Sequence, residues 1–215
     1  MDYSIPTARD LADVHSLNAA FLEAMHCSGG EDLHRALPVS CQPLIASLTE
    51  LKIRRLAAAP FLLFSIREQD DAYWQQLLDA DPHRDLFAVN DRPVAARSQI
   101  IAAAIGFAWQ LARRDPYIAR LVCGASFKWC QRLASMPLIG VLDRAAERAD
   151  LMLPRLAENE QFWRRLLGAG LSADLDVRNA AQLAALQMVL TGLDIREHRR
   201  LQSAACRTAV PIIKM

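Results

Sequence analysis

The sequence predicts an all-α protein, a helical bundle made of two related halves. Apolar residues recur at spacings of three and four along most of the chain, which is typical of amphipathic helices, and strand signals are nearly absent. One long segment also matches another that lies 89 residues further along. The chain has 215 residues, 53% hydrophobic and 23% charged, which is the composition of an ordinary globular protein with a proper core.

The internal match pairs residues 41–78 with residues 130–167 without a gap. It contains nine identical pairs over 38 positions, and the two segments end alike, in AYWQQLL and QFWRRLL. The equivalent aromatic residues are Trp74 with Trp163 and Tyr73 with Phe162. Two Leu- and Ala-rich helical stretches can also match through shared composition, and this is the alternative. A duplication predicts two units about a pseudo-two-fold axis, as in a dimer whose subunits have been fused.

The first half, residues 1–78, predicts three helices. Thr7 is a candidate N-cap for the first helix, which runs to about Met25 before a Ser-Gly-Gly stop. The second helix runs from Ser40 to about Ala59 and ends at a proline. Its apolar stripe is expected to face the core and consists of Leu44, Leu48, Leu51 and Leu56.

The end of the first half holds a short apolar run and the third helix. The run, FLLFSI at residues 61–66, is consistent with a strand or a buried helix, and periodicity does not decide between them. Asp70 and Asp71 favour the start of the third helix, because negative charge is stabilising at the positive end of the helix dipole. Trp74 gives this helix a buried side.

Residues 79–93 form the clearest linker, because proline, asparagine and aspartate are concentrated there. The second half, residues 94–193, predicts five helices, at about 94–114, 116–135, 137–152, 158–168 and 174–193. The first and last of these are so weakly polar that little of either can face water, so they are the expected central or interface helices. A basic tail, residues 194–215, follows and is expected to fray.

Composition excludes several classes of protein. A formal charge of +1 provides no overall field that would attract nucleic acid. Five cysteines at irregular spacings, with no signal peptide before them, favour reduced thiols and a cytoplasmic location. The longest apolar run, IIAAAIGFAW, is shorter than the roughly 20 residues that a membrane span needs, so no span is expected.

Metal-binding and catalytic patterns are weak. The Glu-x-x-His pairs Glu23/His26 and Glu31/His34 have the spacing of helical di-iron sites, but such sites need the pairs on different helices together with two further carboxylates. No nucleophile elbow, phosphate-binding loop or zinc pattern is present in the sequence. The sequence therefore predicts a protein that is not an enzyme, with no metal and no cofactor.

Clusters of basic residues are the remaining signal for function. They are Lys52, Arg54 and Arg55, then Lys128 and Arg132 beside Trp129, then Arg164 and Arg165, and finally Arg199 and Arg200 in the tail. Each cluster fits a solvated helix face, because acidic residues lie between them. Their functional interpretation is contact with phosphate or docking on an acidic protein partner. Of the four, the first cluster is the preferred interaction surface, with Leu51 and Leu56 expected to point into the core.

Three segments of the first half carry a resemblance to a known family. They are SLNAAFLEAM at residues 16–25, the acidic pair Glu31-Asp32, and SLTELKIRRLAAAPFLLFSIR at residues 47–67. In this order they resemble the D subunit of the flagellar master transcriptional activator, the FlhD family. The resemblance implies a helical fold, and chains of that family are about half this length and form homodimers. Its partner subunit supplies much of the DNA contact and a zinc site, whose Cys-x-x-Cys spacing this chain lacks.

The sequence and the resemblance together predict a regulator or adaptor of transcription that contacts a protein partner, with DNA contact through local basic patches as a further expectation. One alternative is an accessory protein of a secretion system or of complex assembly without a DNA role. A second alternative is a helical sensor that binds an apolar ligand between its Ala-rich helices. The expected assembly is a monomeric pseudo-dimer or a homodimer.

Overall fold

In a computed structural model the chain folds as an all-α protein. The structure describes residues 5–26, 30–79, 96–145 and 148–208, and the side chains up to residue 192. The helices of this part are α1 (Ala8–His26), α2 (Glu31–Arg35), α3 (Gln42–Ala46), α4 (Glu50–Ala57), α5 (Asp71–Asp79), α6 (Ala96–Arg114), α7 (Pro116–Cys123), α8 (Phe127–Ser135), α9 (Leu138–Ala145), α10 (Glu160–Leu167) and α11 (Leu175–Thr208). Of the predicted linker only Asp79 is described, and the rest of it lies outside the described residues.

Two short strands and two 3-10 turns complete the described part. The strands are β1 (Phe64–Ser65) and β2 (Leu153–Pro154), which pair in antiparallel orientation. The turns are Ala149–Leu151 and Ala169–Leu171. The apolar run at residues 61–66 is therefore largely buried and is not a helix, and Phe64 and Ser65 within it form the strand β1.

Helix α1 begins where the sequence predicts. The Thr7 hydroxyl accepts a hydrogen bond from the Asp10 backbone N–H at 3.2 Å, and the Asp10 carboxylate accepts one from the Thr7 N–H at 2.7 Å. This reciprocal pair satisfies backbone donors that the first turn of a helix leaves open. Arg114 at the end of α6 also binds the Asp10 carboxylate, at 2.6 Å, so the cap of one long helix is joined to the end of another.

The single helix predicted from Ser40 to Ala59 is wrong, because the chain forms two helices there. α3 ends at Ala46, and α4 begins after Thr49, whose extended backbone (φ −82°, ψ 162°) resets the direction of the chain. The residues of the predicted apolar stripe are therefore not all buried. Leu56 is buried as expected, whereas Leu44 is 44% exposed and Leu51 is 58% exposed.

The helix predicted at 116–135 is also divided, into α7 and α8. Gly124 ends α7 in the left-handed conformation (φ 60°), where a Cβ atom would lie 2.3 Å from the Arg155 guanidinium. The Ser126 hydroxyl then caps α8 by accepting a hydrogen bond from the Trp129 N–H at 3.1 Å. The helix predicted at 137–152 ends at Ala145.

The two weakly polar helices have different positions in the fold. α6 is central and packs against α1, α7, α8 and α9, as the sequence predicts. α11 lies at the periphery, where it packs on α10 and the turn Ala169–Leu171. Its described buried side is narrow and made of mostly small residues, namely Ala181, Gln182, Ala185 and Val189. As backbone, α11 continues to Thr208, past the boundary expected at residue 193.

Buried polar side chains hold the segment that leads into β1. The Asn18 amide donates to the Phe61 carbonyl at 2.9 Å and accepts from the Leu63 N–H at 2.8 Å. Arg155, which is 4% exposed, donates from Nη2 to the Phe64 carbonyl at 2.6 Å and from Nη1 to the Glu68 carboxylate at 2.9 Å. Asn18 thus attaches this segment to α1 within the first half, and Arg155 joins the segment to the second half of the chain.

Several local features recur at the offset of 89 residues. The Trp74 indole donates to the Ile66 carbonyl at 3.2 Å, and the Trp163 indole donates to the Arg155 carbonyl at 3.0 Å, at equivalent positions. The described non-glycine residues with positive φ are also an equivalent pair, Arg67 (55°) and Leu156 (45°). In the β1–β2 pair, Phe64 faces Pro154 and Ser65 faces Leu153, which is the exchange that a two-fold axis produces. These recurrences are the structural observations that bear on the predicted duplication.

Candidate interaction surface

Two of the predicted basic clusters lie next to the same 3-10 turn. Helix α4 carries Lys52, Arg54 and Arg55, and helix α10 carries Arg164 and Arg165. Both helices pack against the turn Ala169–Leu171. The structure thus brings together two clusters that are more than a hundred residues apart in sequence.

Arg55 has a structural role that differs from the one expected of it. Its guanidinium is half-buried and donates to the Leu171 carbonyl at 3.2 Å. Its own backbone carbonyl accepts a hydrogen bond from the Gln182 amide of α11 at 3.2 Å. Arg55 therefore ties α4 to the turn and to α11, and the prediction that it belongs to the exposed cluster is wrong.

The exposed part of α4 and the chain before it combines apolar and basic side chains. Leu51 is 58% exposed and Leu44 is 44% exposed, although both were expected in the core. Val39, which precedes α3, is 81% exposed. Lys52 and Arg54 are exposed on the same short helix. We call these five residues, which are all exposed between positions 39 and 54 of the chain, the α4 surface. Contiguous apolar patches on a surface are typical of interaction sites.

The ion pairs of α4 and α10 are open to water. Arg54 pairs with Glu50 of its own helix at 2.5 Å, and both side chains are more than 70% exposed. On α10, Arg164 pairs with Glu160 at 2.8 Å, and the Ser40 hydroxyl donates to the same carboxylate at 2.7 Å. Exposed pairs of this kind contribute at most about 1 kcal/mol to stability. A binding partner can therefore replace them with its own contacts at little cost in free energy.

The other predicted basic residues lie elsewhere. Lys128 is exposed on α8, and Arg132 of the same helix donates to the Gln75 side chain at 2.9 Å. Trp129 beside them is buried, with its ring edge-on to Trp74 at 5.4 Å, so it is not available to stack on a nucleic-acid base. Arg199 and Arg200 lie in the part of α11 whose side chains are outside the described residues.

A polar cluster surrounds Tyr73 on α5. The Tyr73 hydroxyl donates to the Asp150 carboxylate at 2.8 Å, and the guanidinium groups of Arg67 and Arg148 lie 4.7 and 5.8 Å from its ring centre. Burial, together with the hydrogen bond to Asp150 and its negative charge, raises the pKa of Tyr73 to about 12. The neutral phenol is the form that this environment favours.

A cavity of about 700 Å³ lies beside α11, where its walls include Gly124, Val189 and the chain from Leu153 to Glu160. Its floor holds the Glu68–Arg155 pair, and both side chains are already engaged by the protein. Besides Glu68 and Phe64, Arg155 donates to the carbonyls of Leu62 and Cys123, at 2.5 and 2.7 Å. The cavity is not the space between two Ala-rich helices that the sensor hypothesis places around an apolar ligand, because α6 does not line it.

The histidines of the two Glu-x-x-His pairs contact backbone carbonyls of the protein itself. His26 binds the carbonyls of Leu22 and Ile45 at 2.7 and 2.9 Å, and His34 binds the Gln42 carbonyl at 2.9 Å. Among the described residues, no three potential ligands lie close enough to hold a metal ion. Burial raises the pKa of the Cys123 thiol well above its ordinary value and that of Cys130 to about 12, so both are poor nucleophiles.

Comparisons with known proteins found no family, no curated protein and no solved structure that matches this chain. Within the described ranges, no helix has both the length and the apolar character that crossing a bilayer requires. The candidate site therefore rests on the geometry of the α4 surface.

Sequence analysis did not identify the exposed leucines of the α4 surface as candidates for function. Periodicity across residues 40–59 assumed one continuous helix, which assigned Leu44 and Leu51 to the core. Thr49 followed by Glu50 is the signal that could have revealed the break, because threonine favours N-caps and glutamate favours the first helical turn.

Proposed function

We propose that this protein is a non-catalytic adaptor or regulator that binds another protein through the α4 surface. The observation that carries the proposal is the exposure of Leu44 on α3 and of Leu51 and Lys52 on α4. Apolar side chains provide contact area, while a neighbouring lysine attracts an acidic rim on the partner. A role in transcription belongs to the same proposal and is supported by the resemblance to the FlhD family.

A protein partner is favoured over DNA by the charges around this surface. Arg54 and Arg164 each have a glutamate within 2.8 Å, which would face the phosphates of a bound duplex. Exposed leucines also contribute no favourable binding energy with a phosphate backbone. Proteins bind that backbone through many lysines and arginines that no acidic side chain neutralises. DNA contact is thus the weaker part of the proposal.

We further infer that the chain is a tandem duplication in which one copy has kept the binding surface. The recurring tryptophan hydrogen bonds and the symmetric β1–β2 register support a duplication. At the offset of 89 residues, Leu51 corresponds to Gly140, and Leu44 corresponds to Leu133, which is buried. Each chain would therefore bind one partner, although it resembles a dimer.

The test is a binding experiment with Leu51→Glu, since a carboxylate at this exposed site opposes both apolar contact and an acidic partner. Ile139→Glu on α9 is the matched control, because Ile139 is 67% exposed on another helix. The partner is first identified by capture on the wild-type chain and then titrated in purified form. We expect Leu51→Glu to weaken the complex at least about tenfold, which corresponds to about 1.4 kcal/mol, and Ile139→Glu to leave it unchanged.

Two results would contradict the proposal. Equal affinity of the wild type and Leu51→Glu for the purified partner would remove the α4 surface from the interaction. A mobility shift of heterologous DNA that weakens steeply with salt, without any protein partner, would make phosphate contact the main activity.

A further inference from the structure

Two histidine side chains hold the ends of the short helix α3. The ring of His26, the last residue of α1, contacts the Ile45 carbonyl at 2.9 Å, and the ring of His34 on α2 contacts the Gln42 carbonyl at 2.9 Å. Helix α3 has five residues, of which only Ile45 is buried. A helix of this length is not stable by itself, so its position depends on contacts such as these.

The His26 ring has a second contact, which sets a condition on its charge. Its Nδ1 atom lies 2.7 Å from the Leu22 carbonyl, while Nε2 contacts the Ile45 carbonyl. A carbonyl oxygen can only accept a hydrogen bond, and a neutral imidazole has one N–H group, whereas an imidazolium ion has two. Both contacts are therefore hydrogen bonds only when His26 is protonated. When the ring is neutral, the lone pair of one nitrogen faces a carbonyl oxygen.

His34 provides a comparison, because its ring makes one hydrogen bond, from Nε2 to the Gln42 carbonyl. The neutral tautomer with its proton on Nε2 makes this bond as well as the charged ring does. The histidines of the two Glu-x-x-His pairs thus hold α3 in different ways. His34 holds it in either charge state, and His26 makes both of its hydrogen bonds only when it is protonated.

Among the charged groups of this neighbourhood, His26 is the one whose proton affects α3. Helices α2, α4 and α6 pack on α1, and α3 has no ionisable side chain of its own. The ionisable side chains of these four helices are Arg9, Asp10, Asp13, His15, Glu23 and His26 on α1, Glu31, Asp32, His34 and Arg35 on α2, Glu50, Lys52, Arg54 and Arg55 on α4, and Arg97, Arg113 and Arg114 on α6. The three carboxylates of α2 and α4 each have an arginine within 2.6 Å. Only histidines ordinarily change charge near neutral pH, and His15 bonds to Ala58 and not to α3.

We propose that His26 is a pH-dependent contact that fixes α3 and its exposed Leu44, and that weakens as the ring loses its proton. The His26 side chain is exposed, so its ring exchanges protons with water without any opening of the fold. Leu44 belongs to the α4 surface, so binding of the protein partner should weaken as the pH rises. This regulation of binding rests on the proposed function, whereas the contact itself does not.

The first test follows the contact and needs no partner. Nitrogen-15 shifts of the His26 ring report its charge between about pH 5.5 and about pH 8, where histidines ordinarily titrate. The amides of Ser47 and Leu48 donate to carbonyls of α3, and their exchange with solvent, relative to the intrinsic rate at each pH, reports how firmly α3 is held. We expect their protection to fall at least about threefold as the ring becomes neutral, which corresponds to one hydrogen bond.

Two matched variants distinguish the histidines. His26→Gln carries an amide that donates at any pH, so the protection of Ser47 and Leu48 should no longer depend on pH. His34→Gln should retain the dependence of the wild type. The proposal is overturned if the His26 ring is neutral over the whole range, if protection does not follow its charge, or if His26→Gln shows the same dependence. If His26→Gln does not fold, the titration of the wild type decides by itself.

The second test measures the affinity for the protein partner of the α4 surface, in purified form, at the same two pH values. We expect the wild type to bind about three- to tenfold more weakly at the higher pH, and His26→Gln to lose this difference. Equal pH dependence of the two proteins would show that His26 does not regulate binding. Leu51→Glu separates the two proposals. If it binds as the wild type does, the proposed function fails, while the exchange measurements still decide whether His26 controls α3.

Discussion

The two halves meet at two junctions that occupy equivalent places but differ in chemistry. At one junction Phe162 packs on Phe61 with ring centres 6.2 Å apart, and both rings are fully buried. At the other, Tyr73 and Asp150 stand at the equivalent positions and form a hydrogen bond of 2.8 Å. We call them the Phe162 junction and the Tyr73 junction.

The surroundings explain the difference between the junctions. Helix α10, which carries Phe162, is covered by the turn Ala169–Leu171 and by α11. Tyr73 is only half-buried on α5, so its hydroxyl and the arginines beside it keep access to water. Positions that correspond at the offset of 89 residues thus form an apolar core where they are covered and a charged cluster where they are open. The Phe162 junction should depend on burial alone, and the Tyr73 junction should also depend on pH.

The largest effect expected from this comparison is that of Phe162→Ala. Removing a fully buried phenyl ring leaves a cavity between the halves, and such substitutions cost about 3–5 kcal/mol. Tyr73→Ala removes a half-buried ring and should cost clearly less. Urea denaturation of both variants measures the two free energies of unfolding. Equal losses would show that the junctions contribute alike in spite of their different burial.

Prediction of helix boundaries from the sequence succeeded where the spacing of apolar residues is regular and recognisable residues mark the helix ends. The Thr7 cap of α1, the end of α6 at Arg114 and the start of α5 at Asp71 are all confirmed. It failed at Ser47–Thr49 and at Gly124, because both breaks lie inside stretches whose apolar spacing still fits one helix. The breaks depend on distant partners, such as the Arg155 guanidinium that lies against Gly124.

The candidate site was only partly predictable for the same reason. The exposure of Lys52 and Arg54 could be predicted from the sequence alone, because charged residues of an amphipathic helix are normally exposed. The exposed Leu51 and the half-buried Arg55 were assigned to the wrong sides, since the break at Thr49 rotates α4 relative to the expected stripe. Because of this local break, Leu51 is exposed and is a candidate for interaction, although it was expected in the core.

An intermediate effect is expected where α1 and α6 are joined, at Asp10. Burial alone would raise the pKa of Asp10, but hydrogen bonds from Arg114 and Thr7 outweigh it and hold the pKa below the ordinary 3.8. Because the folded state binds this proton more weakly than the unfolded state, the contribution is present above pH 3.8 and is lost as the pH falls through the depressed pKa. Asp10→Asn should therefore cost about 1–2 kcal/mol at neutral pH.

The measurement is thermal denaturation of the wild type and Asp10→Asn at neutral and acidic pH. The difference between their melting temperatures should shrink as the pH falls below 3.8. Asp32→Asn is a comparison with a similar Arg97 contact at 2.6 Å, although the Asp32 side chain is 60% exposed and should contribute less. A difference for Asp10→Asn that stays constant into acid would show that its ion pair does not stabilise the fold.

The smallest effect on stability, and the most specific signature, is expected at Tyr73. Tyr73→Phe makes this position identical to its equivalent, Phe162, and removes one exposed hydrogen bond, so at neutral pH it should cost less than about 1 kcal/mol.

The pKa of Tyr73 is raised from 10.0 to about 12, which means that the folded state holds the phenolic proton more tightly than the unfolded state does. Stability from this group is intact below pH 10 and declines as the pH rises towards 12, because the unfolded chain then releases the proton first. Absorbance of the tyrosinate ion, titrated in the wild type and in Tyr73→Phe, isolates this one residue. A difference curve centred near the ordinary value of 10.0 would mean that Asp150 and burial do not hold the proton, and that the Tyr73 junction is an open surface and not a second contact between the halves.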